Sequence, residues 1–200
     1  MVVDPRGDLK LIVGGAKAVH QVCSRTVRRC SPFWDTLLYG EFAKARGQQK
    51  DDNWSVLLPE DNPEGLEIIL HAIHHKHETP PRPMACGLLS QVTMLADKYD
   101  MIECLSPFWR GWCCTCRHSS ARPLSKNTPQ ELIQHLWVYD KLGDVQGFRL
   151  AVKTLMSRAT LNINDELCLQ PRQHALPYVL SDNIHLMSLG ILGKYCHFPG

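Results

Sequence analysis

The sequence has no apolar run long enough to cross a membrane and no excess of charge of one sign. A membrane-spanning helix needs about 18–20 consecutive apolar residues, and no stretch of the 200-residue chain approaches that. The net charge is +2, too balanced to favour nucleic acid or a charged membrane surface as partner. The first ten residues lack a basic segment followed by an apolar one, so we expect an intracellular protein without a secretory signal.

Motifs of several enzyme classes are missing as well. Gly14-Gly15 fits a turn and lacks the GxxxxGK or GxGxxG pattern that binds nucleotide phosphates. The chain has nine cysteines and ten histidines, so accidental Cys–His pairs are unavoidable, but no hydrolase signature surrounds any of them. A cysteine-dependent hydrolase is therefore kept only as a second alternative. We predict no enzyme activity, no catalytic residue and no cofactor.

The number and placement of the cysteines are not typical of a disulfide-bonded protein. Their number is odd, and most lie in apolar, helix-like segments. Without a secretory route, disulfides are not expected, and most of these residues should act as small buried hydrophobes. They are Cys23, Cys30, Cys86, Cys104, Cys113, Cys114, Cys116, Cys168 and Cys196.

The first half of the chain predicts a small sheet with helices. Residues 8–13 and 18–22 form a candidate hairpin around Gly14-Gly15. A short helix follows with Ser24 as its cap, and a second starts at Ser31-Pro32 and ends at Gly40. Residues 54–58 form a third candidate strand. Amphipathic helices follow, the first with Asn62 as its cap before Pro63. These helices are expected to bury Leu66, Ile69, Ile73, Leu95 and Leu105.

Further helices are predicted beyond a polar segment that lacks periodicity. Thr128-Pro129-Gln130-Glu131 fits a capping box at the start of a helix that runs to Gly143. A second helix is predicted for residues 147–159, and a weaker one for 180–195. The chain is therefore expected to be α+β, with a small sheet of three or more strands packed on helices, followed by an α-helical extension.

Four blocks of this pattern resemble the BTB/POZ family. They are residues 22–34 (VCSRTVRRCSPFW), 37–45 (LLYGEFAKA), 54–73 (WSVLLPEDNPEGLEIILHAI) and 95–100 (LADKYD). The blocks match in order and spacing from about residue 7 to 112, and the acidic turn and LADKYD look most like filamentous-fungal members. The resemblance implies a BTB/POZ-like domain at 7–118, a linker at 119–127 and a helical C-terminal extension at 128–200.

The same resemblance implies a function in protein binding. BTB/POZ domains associate with themselves or recruit other proteins, and some relatives join a cullin-type ubiquitin-ligase scaffold. We therefore expect a protein–protein interaction module or adaptor with other proteins as partners, a homo-oligomer or a cullin-type scaffold among them. No membrane and no nucleic acid is expected as partner.

Two clusters could in principle bind a metal ion. His71 and His75 are four residues apart and could share a helix face, with His74 and His77 beside them. The preferred interpretation is that histidines are favoured at a helix C-terminus. Cys113, Cys114, Cys116 and His118 offer four potential zinc ligands within six residues. Because zinc sites usually join two separated pairs, incidental thiols are preferred, and a zinc-binding or redox-sensing module stays as the alternative function. No metal ligand is predicted.

Basic and aromatic residues give weaker signals. Arg25, Arg28 and Arg29 form a small basic patch, for which a solvated helix face is the preferred interpretation. The aromatics are expected to be mostly core, with one or two as surface anchors, because interface hot spots favour Trp. They are Phe33, Trp34, Phe108, Trp109 and Trp112.

Overall fold

The α+β chain divides into two units, and the structure describes most of each. The computed structural model describes residues 1–41, 54–76, 84–119, 124–162, 164, 167–169 and 178–180, without the side chains of 114–119, 178 and 179. The first unit comprises Met1–Met84 and Gln91–Trp112, and the second comprises Ala85–Ser90 and Cys113–Gly200.

The first unit contains the predicted small sheet. Strands β1 (Leu9–Val13) and β2 (Ala18–Val22) pair antiparallel, and β3 (Ser55–Leu58) pairs with β1 in parallel, in the order β2-β1-β3. Gly14 makes the turn after β1 with a φ of 70°, a conformation that suits glycine. Side chains alternate between the two faces of the sheet, and every second residue of β1 is buried. The strand pairing confirms the hairpin and the third strand that the sequence predicts.

Two short helices follow the hairpin. Helix α1 spans Ser24–Arg29 and α2 spans Pro32–Tyr39. The prediction that Ser24 caps α1 is wrong, because the N-cap is Cys23 and the buried Ser24 hydroxyl donates to Asp8 Oδ2 at 2.7 Å instead. The prediction for α2 is confirmed: Ser31 Oγ accepts the Trp34 N–H at 3.1 Å, and the helix ends at Gly40.

Three longer helices complete the segment before residue 120. They are α3 (Pro63–Ile73), α4 (Cys86–Lys98) and α5 (Ser106–Ser119), with one 3-10 turn at Glu103–Leu105 before α5. The Asn62 side chain caps α3 by accepting the Gly65 N–H at 2.7 Å, as its sequence predicts. The predicted core residues are all buried: Leu66, Ile69, Ile73, Leu95 and Leu105.

Tyr99, just after α4, joins three parts of the first unit. Its carbonyl oxygen accepts a hydrogen bond from Ser31 Oγ, and its hydroxyl donates to Asp61 Oδ2. Lys98 Nζ donates to the other Asp61 oxygen at 2.6 Å, and the Trp34 ring lies 5.0 Å from the Tyr99 ring. We call this set, Ser31, Trp34, Asp61, Lys98 and Tyr99, the Tyr99 junction.

Two helices joined by a short loop lie in the second unit. Helix α6 (Pro129–Lys141) begins with the predicted capping box, in which Thr128 and Glu131 exchange side-chain and backbone hydrogen bonds. Helix α7 (Val145–Arg158) is capped by Asp144 and starts two residues earlier than its sequence suggests. A Cβ atom at Gly147 would lie 2.9 Å from the Tyr139 ring, so α6 and α7 approach closely there. The buried side chains of these two helices include Leu132, Leu136, Ala151 and Leu155.

A second sheet was missed by the sequence analysis, which predicted only helices after residue 128. Strands β4 (Ala159–Leu161), β5 (Leu167–Leu169) and β6 (Tyr178–Val179) form an antiparallel sheet in that order. Strands of two or three residues are too short to show a period of two. The predicted helix at 180–195 lies outside the described residues apart from Leu180. Within the described ranges, no helix has the length and apolarity needed to span a bilayer.

Replacing Ser31 with alanine tests the link between the α2 cap and Tyr99. The change removes the cap of α2 and the donor to the buried Tyr99 carbonyl, so we expect the free energy of unfolding to fall by about 1–3 kcal/mol. Thr36→Ala on the exposed side of the same helix is the matched control and should change it by less than about 0.5 kcal/mol. Urea unfolding followed by tryptophan fluorescence measures both; equal effects would contradict the assigned role of Ser31.

Candidate functional site

A groove lined by arginine lies on the first two helices. Its volume is about 630 Å³, and its walls are Arg25, Arg28 and Arg29 of α1 with Asp35 and Tyr39 of α2. All three arginines are exposed, as the sequence analysis expects of a solvated helix face. The fold adds what the linear pattern did not show: α2 turns back beside α1, so the basic patch becomes one wall of a concave site.

The floor of the groove is held in place from the core side. The Ser24 hydroxyl donates its proton to Asp8 Oδ2, so it can only accept from the Tyr39 hydroxyl, which lies 2.6 Å away. The Tyr39 ring also meets the Trp54 ring edge-on at a centroid distance of 5.8 Å. Tyr39 is therefore held by contacts at both ends, and it supports the Arg28 guanidinium, which lies over its ring.

The charges in the groove do not cancel. Arg28 pairs with Asp35 through its Nε, and its guanidinium lies over the Tyr39 ring at 4.5 Å. Arg25 and Arg29 have no carboxylate partner within the part of the chain that the structure describes. Three positive and one negative side chain thus line the site, and the resulting field favours a negatively charged ligand.

The two helices also carry a separate apolar surface. On α2, Phe33 and Leu37 are 44% and 42% exposed, whereas Trp34 and Leu38 are buried. Among the aromatics considered from the sequence, Trp34 and Trp112 are core residues, and Phe108 stacks on Trp112 at 5.5 Å. Phe33 is therefore the aromatic of this set that has a large exposed fraction.

The spacing of His71 and His75 would allow them to share a helix face, but the structure does not bring them together on one. Helix α3 ends at Ile73, His74 is its C-cap, and His75 has a φ of 59°, so His75 leaves the helical path. His71 is buried within α3, and His77 lies outside the described residues. Sequence reasoning overlooked His20, a buried β2 residue whose two ring nitrogens have no hydrogen-bond partner in the described part of the chain.

Burial depresses the basicity of these histidines. Desolvation by burial lowers the pKa of His20, His71 and His74. The nearby Glu67 partly offsets this for His20 and His71 by favouring their charged forms. His20 also faces the N-terminal amino group and His71, which lower its pKa further. The lowered pKa values favour the neutral form of all three histidines.

A contact between Cys23 and His74 in the described part of the chain does not resemble a nucleophile and its base. His74 Nε2 accepts the backbone N–H of Cys23 at 3.1 Å, and its Nδ1 lies 2.8 Å from the Leu70 carbonyl oxygen. The nitrogen that would take a proton from a thiol is thus occupied by a backbone amide. The arrangement terminates α3 and ties it to the start of α1.

The cysteine cluster considered as a zinc site can be followed only in part. Cys113 is buried, whereas the side chains of Cys114, Cys116 and His118 lie outside the described residues. Across the residues that the structure does describe, no group of three or more His, Cys, Asp or Glu side chains is arranged to hold a metal ion.

No family model matches the sequence, and no curated protein is significantly similar to it.

The buried histidines predict how stability depends on pH. Because the pKa of His20 is lower in the folded protein than the ordinary value of 6.5, the unfolded chain binds more protons between the two values. Stability therefore rises with pH across that interval and is lost as the pH falls below about 6.5. We expect urea midpoints to drop between pH 7.5 and pH 5, and to drop less in His20→Leu.

His71 and His74 remain in that variant, so part of the acid sensitivity should persist. His75→Asn serves as the control, because His75 is exposed and asparagine tolerates its positive φ. An acid sensitivity that is the same in His20→Leu and in the unmodified chain would show that the burial of His20 has no energetic consequence.

Proposed function

We propose that this chain is a protein-interaction module and not an enzyme, and that the arginine groove of α1 and α2 binds an acidic segment of another polypeptide. The observation that carries the proposal is a rigid concave site in which two exposed arginines lack carboxylate partners within the described residues. No bond is made or broken in this function.

The chemistry of the groove favours carboxylates. A guanidinium presents several N–H donors in one plane and can bind a carboxylate through two parallel hydrogen bonds. Arg28 already shows this preference by pairing with Asp35. Arg25 and Arg29 lie on either side of it in the same short helix, so a ligand with spaced acidic side chains can meet both.

The size of the groove suits a peptide segment. Its volume of about 630 Å³ falls within the roughly 300–1,000 Å³ of typical ligand sites. The site is open and charged instead of enclosed and apolar, as expected of a surface that meets a chain and not a buried small molecule. Phe33 and Leu37, exposed elsewhere on α2, offer apolar area to the same partner.

The resemblance to BTB/POZ proteins supports a binding role. The order of elements predicted from the residues, a hairpin, two short helices, a third strand and then longer helices, is the order of the described elements through Trp112, and it is compatible with that resemblance. Three of the resembling blocks supply Ser31, Asp61 and Tyr99, which meet at the Tyr99 junction. By this resemblance the partner is a second copy of the chain or a recruited protein such as a cullin-type scaffold.

Reversing the charge of the two unpaired arginines tests the proposal. We expect the double variant Arg25→Glu/Arg29→Glu to weaken binding of a short fluorescein-labelled peptide of alternating Asp and Glu by at least about tenfold, since hydrogen bonds to charged groups contribute roughly 1.5–3 kcal/mol each. Arg110→Glu, an exposed arginine of α5, is the matched control. Fluorescence anisotropy at about 0.05 M and about 0.5 M salt should show weaker binding at the higher concentration.

Three outcomes would count against the groove as a peptide site. Equal affinity for the acidic peptide and a Ser/Gly peptide of the same length would contradict charge recognition. Equal losses in Arg110→Glu would indicate a nonspecific effect of net charge. A single-stranded oligonucleotide that binds more tightly than the acidic peptide, with the same dependence on Arg25 and Arg29, would assign the groove to nucleic acid instead.

A further inference from the structure

Two cysteines distant in sequence meet beside the corner between α1 and α2. Cys30 is the C-cap of α1, and Cys104 lies in the 3-10 turn that precedes α5, 74 positions later. The Cys104 thiol donates to the Cys30 carbonyl oxygen at 3.2 Å, and the two thiols are close enough for Cys104 to contribute to the raised pKa of Cys30. Both side chains are partly exposed, and neither is in a disulfide.

This contact places the two cysteines next to each other. A bond between two sulfurs needs Cβ atoms about 3.5–4.5 Å apart with side chains that point towards each other. Because the Cys104 sulfur already lies against the Cys30 backbone, we infer that the bond can close by side-chain rotation. The sequence analysis weighed redox chemistry only for the cluster at Cys113, because 30 and 104 are too far apart in sequence to suggest a pair.

We propose that Cys30 and Cys104 form a modification site, a thiol pair that a small disulfide such as oxidised glutathione converts reversibly into an intramolecular disulfide. The inference does not depend on the proposed function. It concerns a chain expected to lie in a reducing compartment, where such a bond is transient and not a permanent staple.

The reaction proceeds by two thiol–disulfide exchanges. One protein thiolate attacks a sulfur of oxidised glutathione, forms a mixed disulfide and releases one glutathione thiolate. The second protein thiolate attacks the protein sulfur of that mixed disulfide, forms the Cys30–Cys104 bond and releases the second glutathione. The two protein sulfurs are oxidised, the glutathione disulfide is reduced to two thiols, and the two protons of the protein thiols pass to them.

The surroundings of the pair set the order of attack. Burial, with a smaller contribution from the neighbouring Cys104, raises the pKa of Cys30 to about 12. A raised pKa leaves little thiolate at Cys30 near neutral pH, so Cys30 is a slow first nucleophile. We therefore expect glutathione to be attacked first through Cys104, with Cys30 resolving the mixed disulfide.

Peptide mapping of the whole folded chain tests the site. We expect treatment with oxidised glutathione at neutral pH, followed by alkylation, proteolysis and mass spectrometry without reductant, to give a Cys30–Cys104 cross-linked peptide that dithiothreitol removes. Cys104→Ser should abolish it. Cys23→Ser, at a partly exposed cysteine of the same unit, should retain it.

The single variants test the order of attack. In Cys30→Ser, Cys104 should keep glutathione as a stable mixed disulfide. In Cys104→Ser, Cys30 should take up glutathione at least about tenfold more slowly than Cys104 does in Cys30→Ser. Recovery of Cys30 and Cys104 as separately alkylated peptides, or paired with other cysteines while circular dichroism shows the native fold, would overturn the proposal.

Discussion

The hydrogen bonds and ring contacts of Tyr99 hold the first unit together. The side chain is 1% exposed, and its hydroxyl donates to the buried Asp61, whose second oxygen accepts from Lys98. Burial, together with the hydrogen bond to Asp61 and its negative charge, raises the pKa of the Tyr99 hydroxyl well above its usual range, so it remains a donor. Without this donor a buried carboxylate would lose a partner, which is costly in a low-dielectric interior. The turn before α3 is thereby tied to the end of α4.

The proposed binding groove depends indirectly on the Tyr99 junction. Ser31 caps α2 and donates to the Tyr99 carbonyl, which sets where α2 starts relative to the core. Once α2 is placed, Tyr39 at its end reaches Ser24 and supports Arg28. Arg25 and Arg29 can then stay without a carboxylate partner in the described part of the chain, because the folding energy comes from the buried contacts beneath the helices. The proposed binding surface and the stabilising buried contacts thus lie on opposite sides of α1 and α2.

Much of the fold could be predicted from local patterns. The hairpin, the third strand, the caps at Ser31 and Asn62 and the capping box at Thr128 are encoded within a few residues each, and the structure confirms them. The helical cap assigned to Ser24 failed because a tertiary acceptor, Asp8, competed for its hydroxyl. The second sheet was missed because its strands are very short.

The candidate site shows which features could not be predicted from the sequence alone. Charge and residue type already identified Arg25, Arg28 and Arg29 as a basic patch, and spacing along the chain was enough to predict which residues form helices and strands. Only the tertiary structure decided that the patch faces Asp35 and Tyr39 across a groove, that His20 is buried without partners, and that Cys30 meets Cys104. The physical reason is that patterns report local backbone preference and burial, whereas these contacts arise between segments whose separation in sequence carries no signal.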